Sequence, residues 1–248
     1  MTEGKLIVLA GPSCVGKSPL EKALARFHPE LRAPLRPVVL YNDRAPRPGE
    51  IDGVDYHFRD RQSIRALEER ENHVVMDVRG DLQALDVEAL RHDLASGDVL
   101  FEGNPFVGRR LMTDPALDGV RRSGVFMAPL SRDEILFLRK TAGDSALPGL
   151  VTDVMRRKLL RRTRKQKSEL SLKDLENIET RAGSAYRELK MAHEFDAVLP
   201  NHDGEDSDNW DAFYYPLGDA RASLQAFAAL LRGEPSAFAE TWEDGLVP

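Results

Sequence analysis

Apolar positions recur along this chain in two patterns, short unbroken runs and longer stretches with apolar residues three and four apart. Residues 6–10 form an apolar run that stops at Gly11, which predicts a buried strand. Over 18–27, Leu20, Ala23, Leu24 and Phe27 fall on one helical face, and Pro19 stands in the first turn, where a missing N–H is tolerated. Pro29, Pro34 and Pro37 then interrupt the chain. Strands are predicted at 38–41, 54–58 and 74–78, with an Arg/Pro/Gly loop at 42–53 and a helix at 61–70. A helix follows at 87–95, with Val87, Leu90 and Leu94 on one side, then a strand at 99–102 that ends in a carboxylate. The run 124–129 predicts another core strand, 133–140 a helix, 150–190 mainly helix and 195–199 a last strand. An apolar-faced helix at 217–230 leads into a tail expected to be loose. Strands that alternate with helices predict an α/β fold, with a parallel sheet covered by helices on both faces.

Composition narrows the class. The 248 residues carry a formal charge of −6, with 42% hydrophobic and 31% charged residues, the balance of a soluble globular protein able to bury a sizeable core. No stretch approaches the ~18 apolar residues of a membrane span, and the N-terminal run leads into a glycine loop rather than a signal-peptide cleavage site. Cys14 is the only cysteine, which rules out an internal disulfide and makes a reducing cytoplasm the expected compartment. Mild acidity weighs against a general nucleic-acid binder.

The segment after the first strand, Gly11-Pro-Ser-Cys-Val-Gly-Lys-Ser18, fits G-x-x-x-x-G-K-[ST] completely and sits between a strand and a helix, as that motif requires. Its backbone N–H groups make a nest for phosphate oxygens, and the helix N-terminus adds partial positive charge. Gly11, Ser13, Cys14, Val15, Gly16, Lys17, Ser18 and Pro19 are therefore the expected ATP-binding positions. Lys17 is placed to bridge the β- and γ-phosphates, and the Ser18 hydroxyl to ligate Mg²⁺. Pro19 replaces the usual hydroxyl residue and removes an N–H, so weaker nucleotide binding is expected. Glu102, at a strand end, is the expected partner of Ser18 at the metal. Cys14 lies inside the loop, where its backbone matters more than its thiol; a helix N-terminus can lower a thiol pKa, but nothing here requires it.

The loop after Tyr41 is the second specific signal. Arg44 and Arg47 lie three apart in a proline-stiffened segment with Tyr56 nearby, an arrangement suited to bidentate grip on a second phosphate. GPSCVGKS followed by RAPRPGEIDGVDYHF resembles the guanylate kinase family. The resemblance covers most of residues 5–203. It implies a P-loop three-layer αβα core with a parallel sheet, a small acceptor-binding domain and a helical lid. In that family the two arginines and the tyrosine hold the acceptor GMP phosphate, matching Arg44, Arg47 and Tyr56 here. The match also puts Glu102 and Asn104 at the two acidic positions of the family's second-strand motif and makes Arg181 a lid arginine with Arg139. With Lys17, these two arginines are the expected catalytic groups. The implied partition is 1–35, 87–136 and 182–235 for the core, 36–86 for acceptor binding, 137–181 for the lid and 236–248 for the tail.

Three departures stand out. Where the family reads guanine with a glutamate and a Gly-Asn-Tyr-Tyr-Gly-Ser/Thr segment, this chain has Val74 and Gly80-Asp-Leu-Gln-Ala-Leu85. Asp77, Asp81 and Gln83 are the candidates to take over acceptor contacts. Between Arg139 and Arg181 the chain is about 30 residues longer than the family's lid. That insert is strongly basic over 156–167 and reads as a solvated helix, an extra source of lid arginines or a polyanion site for RNA. Finally, Asp203, Glu205, Asp206, Asp208 and Asp211 make an acidic loop whose spacing fails the EF-hand pattern and reads as surface. The expected activity is transfer of the ATP γ-phosphate to a nucleoside monophosphate, GMP first. Another phosphate ester as acceptor, or a non-catalytic binding domain, remain the alternatives.

Overall fold

The structure is a computed structural model that describes residues 4–46 and 49–248. The first apolar run is strand β1 (Lys5–Ala10), and α1 (Lys17–Phe27) follows the glycine loop directly. The short helix α2 (Pro29–Arg32) and strand β2 (Arg36–Pro37) lead to β3 (Leu40–Asn42) and β4 (Tyr56–Phe58). Helix α3 (Arg61–Arg65) begins at Asp60, whose side chain accepts from Ser63 N, and it continues into a 3₁₀ turn instead of running to 70. Next come β5 (His73–Val78), β6 (Asp81–Asp86), α4 (Val87–Ser96) and β7 (Val99–Gly103). Helix α5 (Pro105–Thr113) and β8 (Arg121–Ala128) complete the middle of the chain.

The last third is largely helical. Helix α6 (Arg132–Ala142) starts on a reciprocal capping box between Ser131 and Glu134. The expected helical span resolves into α7 (Leu147–Gln166) and α8 (Leu172–Leu189), parted where Ser171 and Asp174 form a second capping box. Strand β9 (Ala197–Pro200) and helix α9 (Gly218–Arg232) follow.

Strands β2, β7, β1, β8 and β9 form, in that order, a five-stranded sheet whose recorded pairings are all parallel. Both faces are covered, which is why β1 reads as a continuous apolar run. Leu6, Val8 and Ala10 face a core shared with α4, α5, α7 and α8, while Ile7 and Leu9 face one shared with α1 and α9. Parallel pairing also brings the carboxyl ends of β1, β7, β8 and β9 to one edge, where open α/β sheets hold ligands. The register places Glu102 beside Leu9 and Gly103 beside Ala10, so the end of β7 lies against the start of the glycine loop.

A second, four-stranded sheet has the order β4-β3-β6-β5. Its β5–β6 hairpin turns through Arg79 and Gly80, whose φ values of 59° and 93° are those of a two-residue turn with both central residues left-handed. No strand is expected at 81–86 from composition alone, because Asp81 and Gln83 hide its apolar face. Pairing with both β3 and β5 creates it, and Leu82 and Ala84 then pack with Ile64 in a small core of their own.

The C-terminal segment is not loose. Glu240 and Val198 exchange two backbone hydrogen bonds of 2.8 Å, and Trp242, Leu246 and Val247 are buried in the main core. Spread over a few residues with charges between them, these apolar groups carry no periodic signal. Trp242→Ala is expected to cost about 3–5 kcal/mol of unfolding free energy, measured by urea denaturation. A midpoint equal to wild type would mean that the tail is not packed as described.

Candidate active site

One cleft of about 650 Å³ opens at the carboxyl edge of the parallel sheet and runs to the second sheet. At the sheet end lies the glycine loop. A side chain at Gly16 (φ 110°) would bring its Cβ to 2.6 Å from the Asn201 amide, so the loop can close only with glycine there. Lys17, the first residue of α1, turns back on its own loop, and Nζ donates to the Gly11 and Pro12 carbonyls at 2.8 and 3.0 Å. It is 6% exposed, and burial lowers its pKa against the opposing pull of Glu102, Glu205 and Glu188.

Ser18 Oγ donates to the Glu102 carboxylate at 3.2 and 3.4 Å, the pairing expected from strand order. Burial pushes the Glu102 carboxyl up to about 7 although Lys17 pulls it down. A hydroxyl and a carboxylate, both hard oxygen donors, suit Mg²⁺, which takes one or two protein ligands and completes its shell with phosphates and water. Among the described residues no cluster of three or more acidic, His or Cys side chains forms a metal cage, and none is needed for such a site. The Cys14 thiol is buried, and burial, with Glu205 nearby, pushes it up to about 12. Val15 is fully buried under the glycine loop and supplies only its backbone, and its carbonyl accepts from Asn201 Nδ2 at 2.7 Å. Pro19 is the third residue of the helix, partly buried.

At the other end of the cleft stand Arg44, Tyr56, Asp81, Gln83 and Asn42. The Arg44 guanidinium lies over the rings of Tyr56 and Phe58 at 5.1 and 5.4 Å. Its two terminal nitrogens donate to Glu50 at 2.7 and 2.6 Å, so in this structure the fork is engaged by that carboxylate. Gln83 and Asn42 are cross-strand partners on β6 and β3, and the Asn42 Nδ2 is buried with no protein partner. Arg47 lies outside the described residues. Asp77 does not line the cleft. It sits exposed on β5, and its Oδ1 accepts from Gly80 N at 2.8 Å, closing the hairpin turn. Val74, at the expected guanine-reading position, is packed into the main core beside Leu85.

The helical side supplies Arg181, whose Nε donates to Ser13 Oγ at 3.0 Å. Arg139 is absent from the cleft. It holds Asp144 at 2.9 Å and the carbonyls of Gly245 and Leu246 at 2.9 Å, and so belongs to the C-terminal packing. Asn104 lines the cleft as the cap of α5, and its amide donates to Glu188 at 3.3 Å.

Residues not singled out by sequence complete the site: Arg79, Arg162, Glu188 and Glu205. Arg162 Nη1 donates to Glu205 at 2.8 Å, and both line the cleft. Burial pushes the Glu205 carboxyl up, but Lys17 and Arg162 outweigh it and leave the group below its ordinary range. In the sequence Arg162 was one charge in a run and Glu205 one acid in another. The fold pairs the two runs: α7 lies along the acidic loop, with Lys158 bonded to the His202 carbonyl, Lys165 to Asp206 O at 2.7 Å and Arg161 near Asp206 at 3.5 Å. Arg156 holds Glu179 at 2.7 Å and Lys167 holds Asp174 at 2.6 Å. Arg156, Arg161, Arg162, Lys165 and Lys167 are thus matched by acids of the same chain, while Arg157 and Arg164 stay exposed.

The guanylate kinase family model matches residues 3–76. A guanylate kinase of Synechococcus sp. is 32% identical over 218 residues, covering 87% of this chain and 84% of that protein. One from Nocardia farcinica is 36% identical over 157 residues, covering 60% and 75%. The crystal structure of guanylate kinase from Anaplasma phagocytophilum shares the fold, with a TM-score of 0.53 at 16% identity over 94% of this chain and 86% of that one.

The Glu102 carboxyl generates a signed prediction. Its folded pKa of about 7 lies above the ordinary 4.5, so the folded state binds the proton more tightly. The group therefore costs stability as pH rises through that window. Glu102→Gln should be more stable relative to wild type at pH 8 than at pH 5, by roughly 1–3 kcal/mol in metal-free denaturation curves. A difference independent of pH would show that the carboxyl is not buried as described.

Proposed function

The chain belongs to the guanylate kinase family, and from that premise we propose that it transfers the γ-phosphoryl group of ATP to the phosphate of a nucleoside monophosphate, GMP by family. The observation that carries this reading is one cleft with an anion-binding end on each side: the Lys17 loop with Ser18 and Glu102, and the Arg44 fork over Tyr56. A nucleotide binder alone would need only the first.

Phosphoryl transfer asks little covalent chemistry of a protein. It asks for in-line positioning, exclusion of water and neutralisation of charge on the moving group. The loop N–H groups would seat the β-phosphate. Lys17 would exchange its two carbonyl partners for phosphate oxygens, an exchange that relieves a buried cation held by neutral groups. Ser18 and Glu102 would hold Mg²⁺, which when bound adds positive charge at the β- and γ-phosphates. Arg44 and Tyr56, with Arg47 by sequence match, would fix the acceptor phosphate. Asp81, Gln83 and Asn104 would border the acceptor's nucleoside. Arg181, already at Ser13, would lie against the transferred group. An acceptor phosphate is anionic, so no protein base is required.

In this reading 36–86 is the acceptor-binding part, 137–181 the lid, and 1–35, 87–136 and 182–235 the core. The C-terminal segment braces the lid through Arg139, a different part from the catalytic one expected of that residue. Among the described residues no helix is long and apolar enough to cross a membrane.

With ATP and a panel of nucleoside monophosphates, GMP and dGMP should turn over fastest. Arg44→Gln should raise the KM for GMP roughly 10- to 100-fold, the worth of charged hydrogen bonds, and leave ATP affinity within about 3-fold. Idle GMP beside a rapidly converted different monophosphate would overturn the choice of acceptor. No ATP binding by calorimetry in the presence of Mg²⁺ would overturn the enzyme reading itself.

A further inference from the structure

Arg79 occupies a position that a structural turn would fill differently. It is the first central residue of the β5–β6 hairpin, with φ at 59°, where glycine or asparagine is favoured and an ordinary side chain is strained. From that turn its side chain does not go to solvent but crosses to the phosphate loop. Its Nη1 donates to Ser13 Oγ at 3.1 Å, the same hydroxyl that receives Arg181 Nε at 3.0 Å. Two guanidinium groups, one carried by the β5–β6 hairpin and one by α8, thus converge on one neutral oxygen beside the glycine loop. An anionic oxygen at that point would accept from both far more strongly than a hydroxyl does.

The Arg79 fork is aimed by a second residue that the described function does not use. Glu188 is fully buried in α8, and its Oε1 takes Arg79 Nε at 2.7 Å, Ser184 Oγ at 2.6 Å and Asn104 Nδ2 at 3.3 Å. Its Oε2 is buried with no partner. Such a carboxylate fixes a guanidinium and leaves its outer nitrogen free to face the loop. Meanwhile the helical arginine expected opposite Arg181, Arg139, is engaged with the C-terminal segment.

The geometry points to Arg79 as a catalytic residue that contacts the transferred phosphoryl group from the acceptor side, paired across it with Arg181 and positioned by Glu188. This rests on the phosphotransferase reading of the cleft. In the step, the bond from Pγ to the oxygen bridging to the β-phosphate breaks and its electron pair stays on ADP. An oxygen of the acceptor phosphate supplies the pair for the new bond to Pγ. Charge on the Pγ oxygens between the two nucleotides is then met by one guanidinium from the hairpin and one from α8. The γ-phosphate contact should exist in bound ATP and be lost in ADP, which gives a readout that does not depend on the acceptor.

Titration calorimetry of wild type, Arg79→Gln and Arg79→Lys with ATP and with ADP tests this, alongside turnover with GMP. For Arg79→Gln, ATP affinity should fall about 10-fold or more and ADP affinity by less than about 3-fold. The kcat should fall about 10²–10³-fold, the usual loss when one preorganised charge-stabilising donor is removed, with the KM for GMP within about 3-fold. Arg79→Lys should fall between, keeping the charge near Glu188 but losing the fork. If Arg79→Gln does not fold because Glu188 is left buried without a cation, Arg79→Lys and Glu188→Gln carry the same comparison. Parallel changes in ATP and ADP affinity, or unchanged kcat, would overturn the assignment and leave Arg79 as a structural ion pair. A selective loss of ATP affinity in an enzyme that does not phosphorylate GMP would keep Arg79 at the γ-phosphate and refute the acceptor instead.

Discussion

A lysine buried at the mouth of a parallel sheet sets the terms for everything around it. Lys17 is nearly inaccessible, yet among the described residues its ammonium donates to two neutral loop carbonyls, those of Gly11 and Pro12. A buried cation with neutral partners is costly, and a chain tolerates it where an anion belongs. Glu102, Glu188 and Glu205 stand around it within electrostatic reach, and each is tied to another donor: Ser18, Arg79 and Arg162. The cleft is a small lattice of alternating charge in which each acid aims a donor at the space above the glycine loop. The parallel sheet makes this crowding possible, because only parallel strands deliver the ends of β1, β7, β8 and β9 to one edge.

The inserted basic helix and the acidic loop are best understood together. Taken singly, each run of like charge is a solvated surface. Side by side they neutralise one another, and the consequence reaches the cleft. Gly204 packs so closely on the phosphate loop that a Cβ there would lie 2.3 Å from the Cys14 carbonyl, and Lys158 meets the loop at the His202 carbonyl. His202 in turn sits between Asp219 at the start of α9 and Glu134 at the start of α6; burial works against its proton, but these two carboxylates outweigh it and raise its pKa. Helix α7 is thereby anchored to the glycine-loop end of the cleft, with Arg162 as the charge delivered inward.

The C-terminal segment does similar work on the other side. Arg139 grips its carbonyls, Tyr186 bonds to the carbonyl of Pro248, and Trp242 fills the core beneath. An arginine that sequence match alone would send to the substrate is spent on this packing. The β5–β6 hairpin, through Arg79, brings a different arginine to the glycine loop.

What the sequence determined by itself is everything local. A glycine loop between an apolar run and an amphipathic stretch carries its own instructions for a phosphate nest, since spacing, φ freedom and helix start are short-range properties. The partnership of Ser18 with the carboxylate ending β7 is likewise legible, as is most of the order of strands and helices. Strand β6 was hidden because its polar residues face a cleft, and the tail because its apolar anchors have no period. Which arginine reaches the cleft was settled only in three dimensions. Arg79, Arg139, Arg162 and Arg181 look alike in a string of letters, and their roles follow from the partner each finds across 5 to 168 residues of chain. Charge has no period and acts through space, so the pairing of a basic run with an acidic one, and the set of cations that line the cleft, belong to the tertiary structure alone.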